Sequence, residues 1–272
     1  MRALALFATV SAIGVLAVVG TLSRKETPPP FAEPQTVAVP AGEVEWRPLG
    51  NFSFEGKART PRLETVNVDG FEIMKHQVSR DQYAVCVVEG ACAEVSARGG
   101  ALPQTQVNWR DATDFADWYS EKTGDRWRLP SETEWQLAAA ERYGDVAATP
   151  EARDPGRRML ESYQNGALLR GSASLSVRPA GAFGENSLGI ADMGGNIWEW
   201  TDGCMENGQI SRDGSVTVTD SYCGVRIAGG RHRAAIIDFV RDASVGGCAV
   251  GLPPDHLGFR LVREAPRVWP LF

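Results

Sequence analysis

The chain has 272 residues, enough for one large domain or two small ones, and its 43% hydrophobic content is ordinary for a protein with a buried core. It carries 28 Lys and Arg against 34 Asp and Glu, a formal net charge of −6 at pH 7. Outside residues 1–25 the balance is 25 basic to 34 acidic with no block of like charge, which argues against a nucleic-acid binder built on clustered cations.

The first element in chain order is apolar. Arg2 is followed by an uncharged stretch from Ala3 to Leu22, close to the roughly 20 residues of a membrane span. A long signal peptide also fits. No clean Ala-x-Ala cleavage site closes the apolar run ahead of Arg24-Lys25, which favours an uncleaved anchor. Either form predicts an exported body, periplasmic or extracytoplasmic, tied to the inner membrane by residues 3–22. The basic pair after the span opposes that orientation. Residues 26–38 hold Pro28-Pro29-Pro30 and Pro34 and read as an extended spacer, because proline fixes φ and removes a donor. The domain is expected over residues 39–264, with 265–272 as a tail.

Phe71 to Met74 reads as a strand. Asn108 with Asp111 three residues later predicts a capped helix whose apolar face is Ala112, Phe115, Ala116 and Tyr119, ended by Gly124. Ser131 with Glu134 predicts a second, starting after Pro130 and turning Trp135, Ala138 and Ala139 inward. From residue 144 onward, loops and short strands are expected. The glycine doublets 194–195, 229–230 and 246–247 lack the strand and helix of a phosphate loop and read as tight turns. One α+β domain with few long elements fits this pattern.

Five cysteines occur, none in a Cys-x-x-Cys, so a zinc ribbon or thioredoxin-type site is not expected. In an oxidising compartment two disulfides and one leftover thiol are expected. Cys86 and Cys92 flank a short loop, and Cys204 and Cys223 flank a polar insertion; four cysteines allow three pairings, and Cys248 would be left over. Free buried thiols are the alternative.

Several segments line up in a recognisable order: residues 72–83 (EIMKHQVSRDQY), 103–112 (PQTQVNWRDA), 128–135 (RLPSETEW), 194–200 (GGNIWEW), Gly229-Gly230 and 258–262 (GFRLV). Together they resemble the formylglycine-generating-enzyme, or sulfatase-modifying-factor, family over roughly residues 39–264. The resemblance implies a C-type-lectin-like fold, mixed and rich in irregular structure. It also implies structural calcium, with Asp192 and Glu199 contributing side chains and Gly195 and Ile197 carbonyls. Calcium takes about 6–8 oxygen ligands, and a loop turning on Gly194-Gly195 can aim carbonyls inward. Alternation along residues 197–200 would set both tryptophans on one face and Glu199 on the other. The bland alternative is an acid-capped turn with solvated carboxylates. The family's second calcium site would begin at Asn165, but its acidic ligand falls near Ser172.

The departures from the family are informative. The family's copper(I) cysteines fall, by spacing, on Ala234 and Phe239, and the serine of its Gly-Gly-Ser motif falls on Arg231. Soft thiolates suit copper(I), and neither replacement ligates it, so copper is not expected. Three histidines far apart, His76, His232 and His256, cannot supply the iron site of the sulfoxide-synthase relatives. Arg231, His232 and Arg233 form a basic triplet suited to an anion or carboxylate in a groove, or plain surface charge. His256, Asp255 and Cys248 are a weaker metal constellation.

The resulting expectation is an exported, anchored accessory protein without the copper oxidase site, binding or maturing a partner protein. Relatives lacking the cysteine pair occur beside copper nitrite reductases. The alternatives are a non-copper oxidoreductase acting on a peptide or siderophore-like molecule, with Asp238 or Asp242 as acid–base candidates, and a glycan or small-ligand binder.

Overall fold

A computed structural model describes residues 33–144, 177–238 and 253–264. The apolar leader, Asn165, Ser172, Phe239, Asp242, Cys248 and the tail lie outside the described residues.

The chain begins with β1 (Thr36–Val39), β2 (Gly42–Trp46), β3 (Gly50–Phe54), β4 (Lys57–Ala58), β5 (Glu64–Val68) and β6 (Phe71–Met74). Helix α1 (Arg80–Val88) follows, then α2 (Trp109–Thr123), β7 (Trp127–Arg128) and α3 (Glu132–Ala139). Next come β8 (Trp198–Ile210), β9 (Val216–Gly229), β10 (Arg233–Ile237), β11 (Leu257–Gly258) and β12 (Val262–Arg263). One sheet runs β1-β6-β12-β7, a second runs β10-β9-β8-β3-β4 with β11 on β8, and β2 pairs with β5.

Each helix starts where side-chain chemistry dictates. Asn108 and Ser131 close reciprocal capping boxes with Asp111 and Glu134, and Gly124 ends α2 at φ 77°, a left-handed conformation that glycine adopts without steric cost. Helix α1 was not read from the sequence, although Ser79 and Gln82 form the same box. Its apolar residues do not gather into a single strong stripe, so only the cap marked it.

The long hairpin β8–β9 is the main departure from the expected short strands. It carries Asp, Asn, Gly and Ser along its outer half, so alternation is weak, and pairing between its two arms sustains it. Its register jumps: Cys204 faces Arg226, whereas Met205 faces Tyr222. Residues 223–225 are therefore extra on β9, a bulge of the kind that redirects side chains.

Two hydrophobic clusters fill the interior. The larger gathers Tyr83, Phe115, Trp118, Tyr119, Trp127, Trp200 and Phe259 among others, and the smaller gathers Val39, Ile73, Trp135, Ile190, Met193 and Val262. Phe115 stacks on Tyr83 and Tyr119 and meets Phe259 edge-on. The Gly229-Gly230 doublet stands where β9 turns into β10, with Gly229 paired to Arg233, and it has a packing reason as well: a Cβ at 229 would lie 2.3 Å from the Trp135 indole, and one at 230 would lie 2.6 Å from Trp198.

Candidate functional site

Glu199 lies on β8 between two indoles, and its side chain is fully buried. A carboxylate in such a place must be neutralised and hydrogen-bonded. Arg260, also fully buried, does both: its Nε donates to Oε2 at 2.6 Å and its Nη2 to Oε1 at 2.7 Å. Gln77 Nε2 donates to Oε1 at 2.8 Å, and Trp135 Nε1 to Oε2 at 2.9 Å. Four donors thus fill the roughly four lone-pair positions of a carboxylate. The guanidinium is equally saturated, because its remaining N–H groups reach the carbonyls of Met74, Lys75 and Ala191. One ion pair therefore ties β6, α3, the loop at Ala191 and β8 together.

The expected calcium set does not assemble here. Glu199 is neither on a solvated face nor left with a lone pair for a cation. Asp192 accepts from the amides of Gly181 at 2.6 Å and Phe183 at 2.8 Å, and the Gly195 carbonyl accepts from Ile197 N–H at 2.8 Å. Asp192 sits at φ 59° and Asn196 at φ 65°, left-handed positions that Asp and Asn tolerate better than most. Glu199, with its lone-pair positions taken by Arg260, Gln77 and Trp135, does not fit a calcium sphere, so the set of Asp192, Gly195, Ile197 and Glu199 lacks one of its two carboxylate ligands. Among the described residues no group of three His, Cys, Asp or Glu is placed to hold a metal. His76 lies beside this loop. Burial is the first cause lowering its pKa, Asp192 opposes that, and Arg260 adds to it.

The basic triplet is also divided. Arg233 has a buried side chain that donates to Glu132 at 2.9 Å and to the carbonyl of Arg47 at 2.7 Å. Burial raises the Glu132 pKa, and Arg233 counters it. His232 packs edge-on against Trp198 at 4.9 Å, and its Nδ1 meets the carbonyl of Arg233 at 2.8 Å. Arg231 alone is exposed. The three side chains therefore do not make one anion-binding groove. His256 and Asp255 pair with each other at 3.2 Å on the exposed surface.

Both cysteine pairings occur, Cys86 with Cys92 and Cys204 with Cys223. Around the second pair stands a constellation that motif reading missed. Arg226 lies 3.5 Å over the Trp109 ring and donates to Cys204 Sγ at 3.0 Å. Trp109 is fixed by its Nε1–H on the Thr201 carbonyl at 2.9 Å. Asp238 accepts from the Trp109 amide at 3.3 Å and donates its own N–H to Gly224. That amide opens α2, so Asp238 serves a helix N-terminus, which competes with the acid–base role considered for it. Burial pushes the Asp202 carboxyl up to about 6. The position expected for a copper cysteine, Ala234, lies on β10 opposite Ala228 and offers only a methyl group.

A polar cleft of about 340 Å³ lies elsewhere, lined by Asn67, Asp69, Arg128, Glu134, Arg263 and Glu264 among others. Its two arginines are both ion-paired: Arg128 binds Glu134 and Glu264, while Arg263 binds Glu72 and Asp125.

A profile of the family described as "Sulfatase-modifying factor enzyme 1-like domain" matches residues 23–265. The chain belongs to this family. Among curated proteins, it is 33% identical over 129 residues to a formylglycine-generating enzyme of Mycobacterium tuberculosis, covering 42% of this chain and 40% of that one. It is 27% identical over 203 residues to the Streptomyces coelicolor formylglycine-generating enzyme, covering 65% and 57%. The mouse "Inactive C-alpha-formylglycine-generating enzyme 2" is 28% identical over 172 residues, covering 61% and 50%. The chain thus spans about half the length of these relatives. Among solved structures, PvdO from Pseudomonas aeruginosa matches with a TM-score of 0.51 at 21% identity over 85% of this chain and 95% of that one, a likeness of fold. The sulfatase-modifying-factor family thus accounts for the mixed, loop-rich architecture and the single domain. Arg260 was missed as a site residue; the available signal was an arginine set between the apolar Phe259 and Leu261.

Proposed function

We propose that this protein is a non-copper member of the sulfatase-modifying-factor family, acting as a binding or maturation factor for a partner protein outside the cytoplasm. Residues 3–22 would hold it at the inner membrane. The observation that carries the reading is Ala234: β10 is formed and in register, yet a methyl group stands at the position expected for a copper-ligating thiolate. Two disulfides support an oxidising compartment. The presence of inactive relatives in the family supports a scaffold kept for a purpose other than cysteine oxidation.

The test is capture from the exported fraction with the full chain as bait, using a copper nitrite reductase as the first candidate partner. The reading predicts a stable stoichiometric complex and no oxygen uptake with a cysteine peptide. Oxygen-dependent turnover of that peptide by the purified protein would overturn it.

A further inference from the structure

The two disulfides differ in their surroundings. Cys86 and Cys92 are 0% and 7% exposed and sit in the larger hydrophobic cluster. Cys223 is exposed, and Cys204 is half-buried behind it. Arg226 places Nη1 3.0 Å from Cys204 Sγ, and the Trp109 ring beneath the guanidinium holds it there. Two carboxylates, Asp202 and Asp238, also act on Arg226. Arg226 makes a polar contact to Cys204 Sγ, which makes the two sulfurs unequal. A thiolate forming on Cys204 would meet a fixed cation, whereas Cys223 faces solvent.

We propose that Cys204–Cys223 is an exchangeable disulfide, attacked at Cys223 by an external thiolate, with Cys204 as the leaving group. The step balances. A thiolate RS⁻ bonds to Cys223 Sγ, the Sγ–Sγ bond breaks, and its electron pair leaves on Cys204, giving a mixed disulfide and a thiolate beside Arg226. A second thiol of the same reagent or partner then displaces Cys223, leaving the protein reduced by two electrons and the reagent oxidised by two. The reductant class is a dithiol, either a small molecule or a partner protein. A leaving thiol of lower pKa departs faster, and a neighbouring arginine lowers that pKa. Reduction would free the bulge at 223–225, whose Gly224 carbonyl accepts from Asp238. Opening would therefore loosen the segment that braces the start of α2. This inference stands apart from the partner-factor reading, because it concerns the sulfur chemistry alone.

The experiment titrates the oxidised full chain with dithiothreitol under native conditions, alkylates free thiols and locates them by mass spectrometry. Cys204 and Cys223 are expected to be labelled at concentrations that leave Cys86–Cys92 intact. Simultaneous opening of both disulfides, or earlier opening of Cys86–Cys92, overturns the proposal. Arg226→Met is expected to slow the reduction several-fold, because a Cys204 thiol of higher pKa leaves more slowly, and an unchanged rate contradicts the leaving-group role. If that variant does not fold, Cys223→Ser decides the matter: the pH profile of Cys204 alkylation should give a pKa below about 8.5, the free-cysteine value. A value at or above it overturns the proposal.

Discussion

Arg260 and Glu199 show how a single pair decides what a loop does. Both side chains are fully buried, and every donor and acceptor on them has a partner. Removing one member leaves an unpaired charge in the interior, which costs about 3–5 kcal/mol. Arg260→Met should therefore lower the unfolding free energy read from urea melts by about 3–5 kcal/mol, or prevent folding. Replacing both residues with apolar ones should cost less than the sum of the single changes, a coupling that a double-mutant cycle measures. Asp202 gives a pH signature of opposite sign to that of most carboxylates. Its pKa rises from 3.8 to about 6 in the folded state, with burial as the main cause. Between those values the native state holds more protons than the unfolded one, so this group's contribution is present below about pH 3.8 and is lost as pH rises through 6. The stability difference between Asp202→Asn and the unaltered protein, followed by urea melts from pH 4 to 7, should grow in favour of the Asn variant across that window. A flat difference would count against the raised carboxyl.

At the scale of elements, chemistry carried by a few adjacent residues was legible, and chemistry assembled across the chain was not. Helices α2 and α3 announce themselves through Asn108/Asp111 and Ser131/Glu134, and both boxes are present. Asn108→Ala should cost about 1 kcal/mol of stability by thermal melt, the usual loss for such a cap. The β8–β9 hairpin escaped notice because its outer half has no period-2 apolar signal, and its bulge depends on a register set by the partner strand. Gly229 was legible as a glycine but not for its reason, because the Trp135 ring that excludes a Cβ comes from a helix 94 positions earlier. Gly229→Ala should lose about 1–3 kcal/mol through overpacking, or more if the indole has no room to move. The basic triplet fails as a patch for the same kind of reason: Arg233's partner, Glu132, lies 101 positions upstream.

For the whole molecule, family membership and fold follow from a match over residues 23–265 and from solved structures of the same architecture. The calcium set implied by the resemblance does not fit, because Arg260 already supplies the positive charge that Glu199 requires. The melting temperature should therefore be unchanged by EDTA, and a fall restored by added calcium would contradict that assignment. The proposed reading is of a scaffold kept without the family's copper-cysteine centre, one position of which holds Ala234 on β10. Its most direct test adds copper(I), oxygen and a cysteine-containing peptide to the purified protein and looks for an aldehyde on the peptide. A protein without that centre leaves the peptide unmodified and binds no copper through thiolates; an aldehyde formed in step with copper loading would show a working oxidase site.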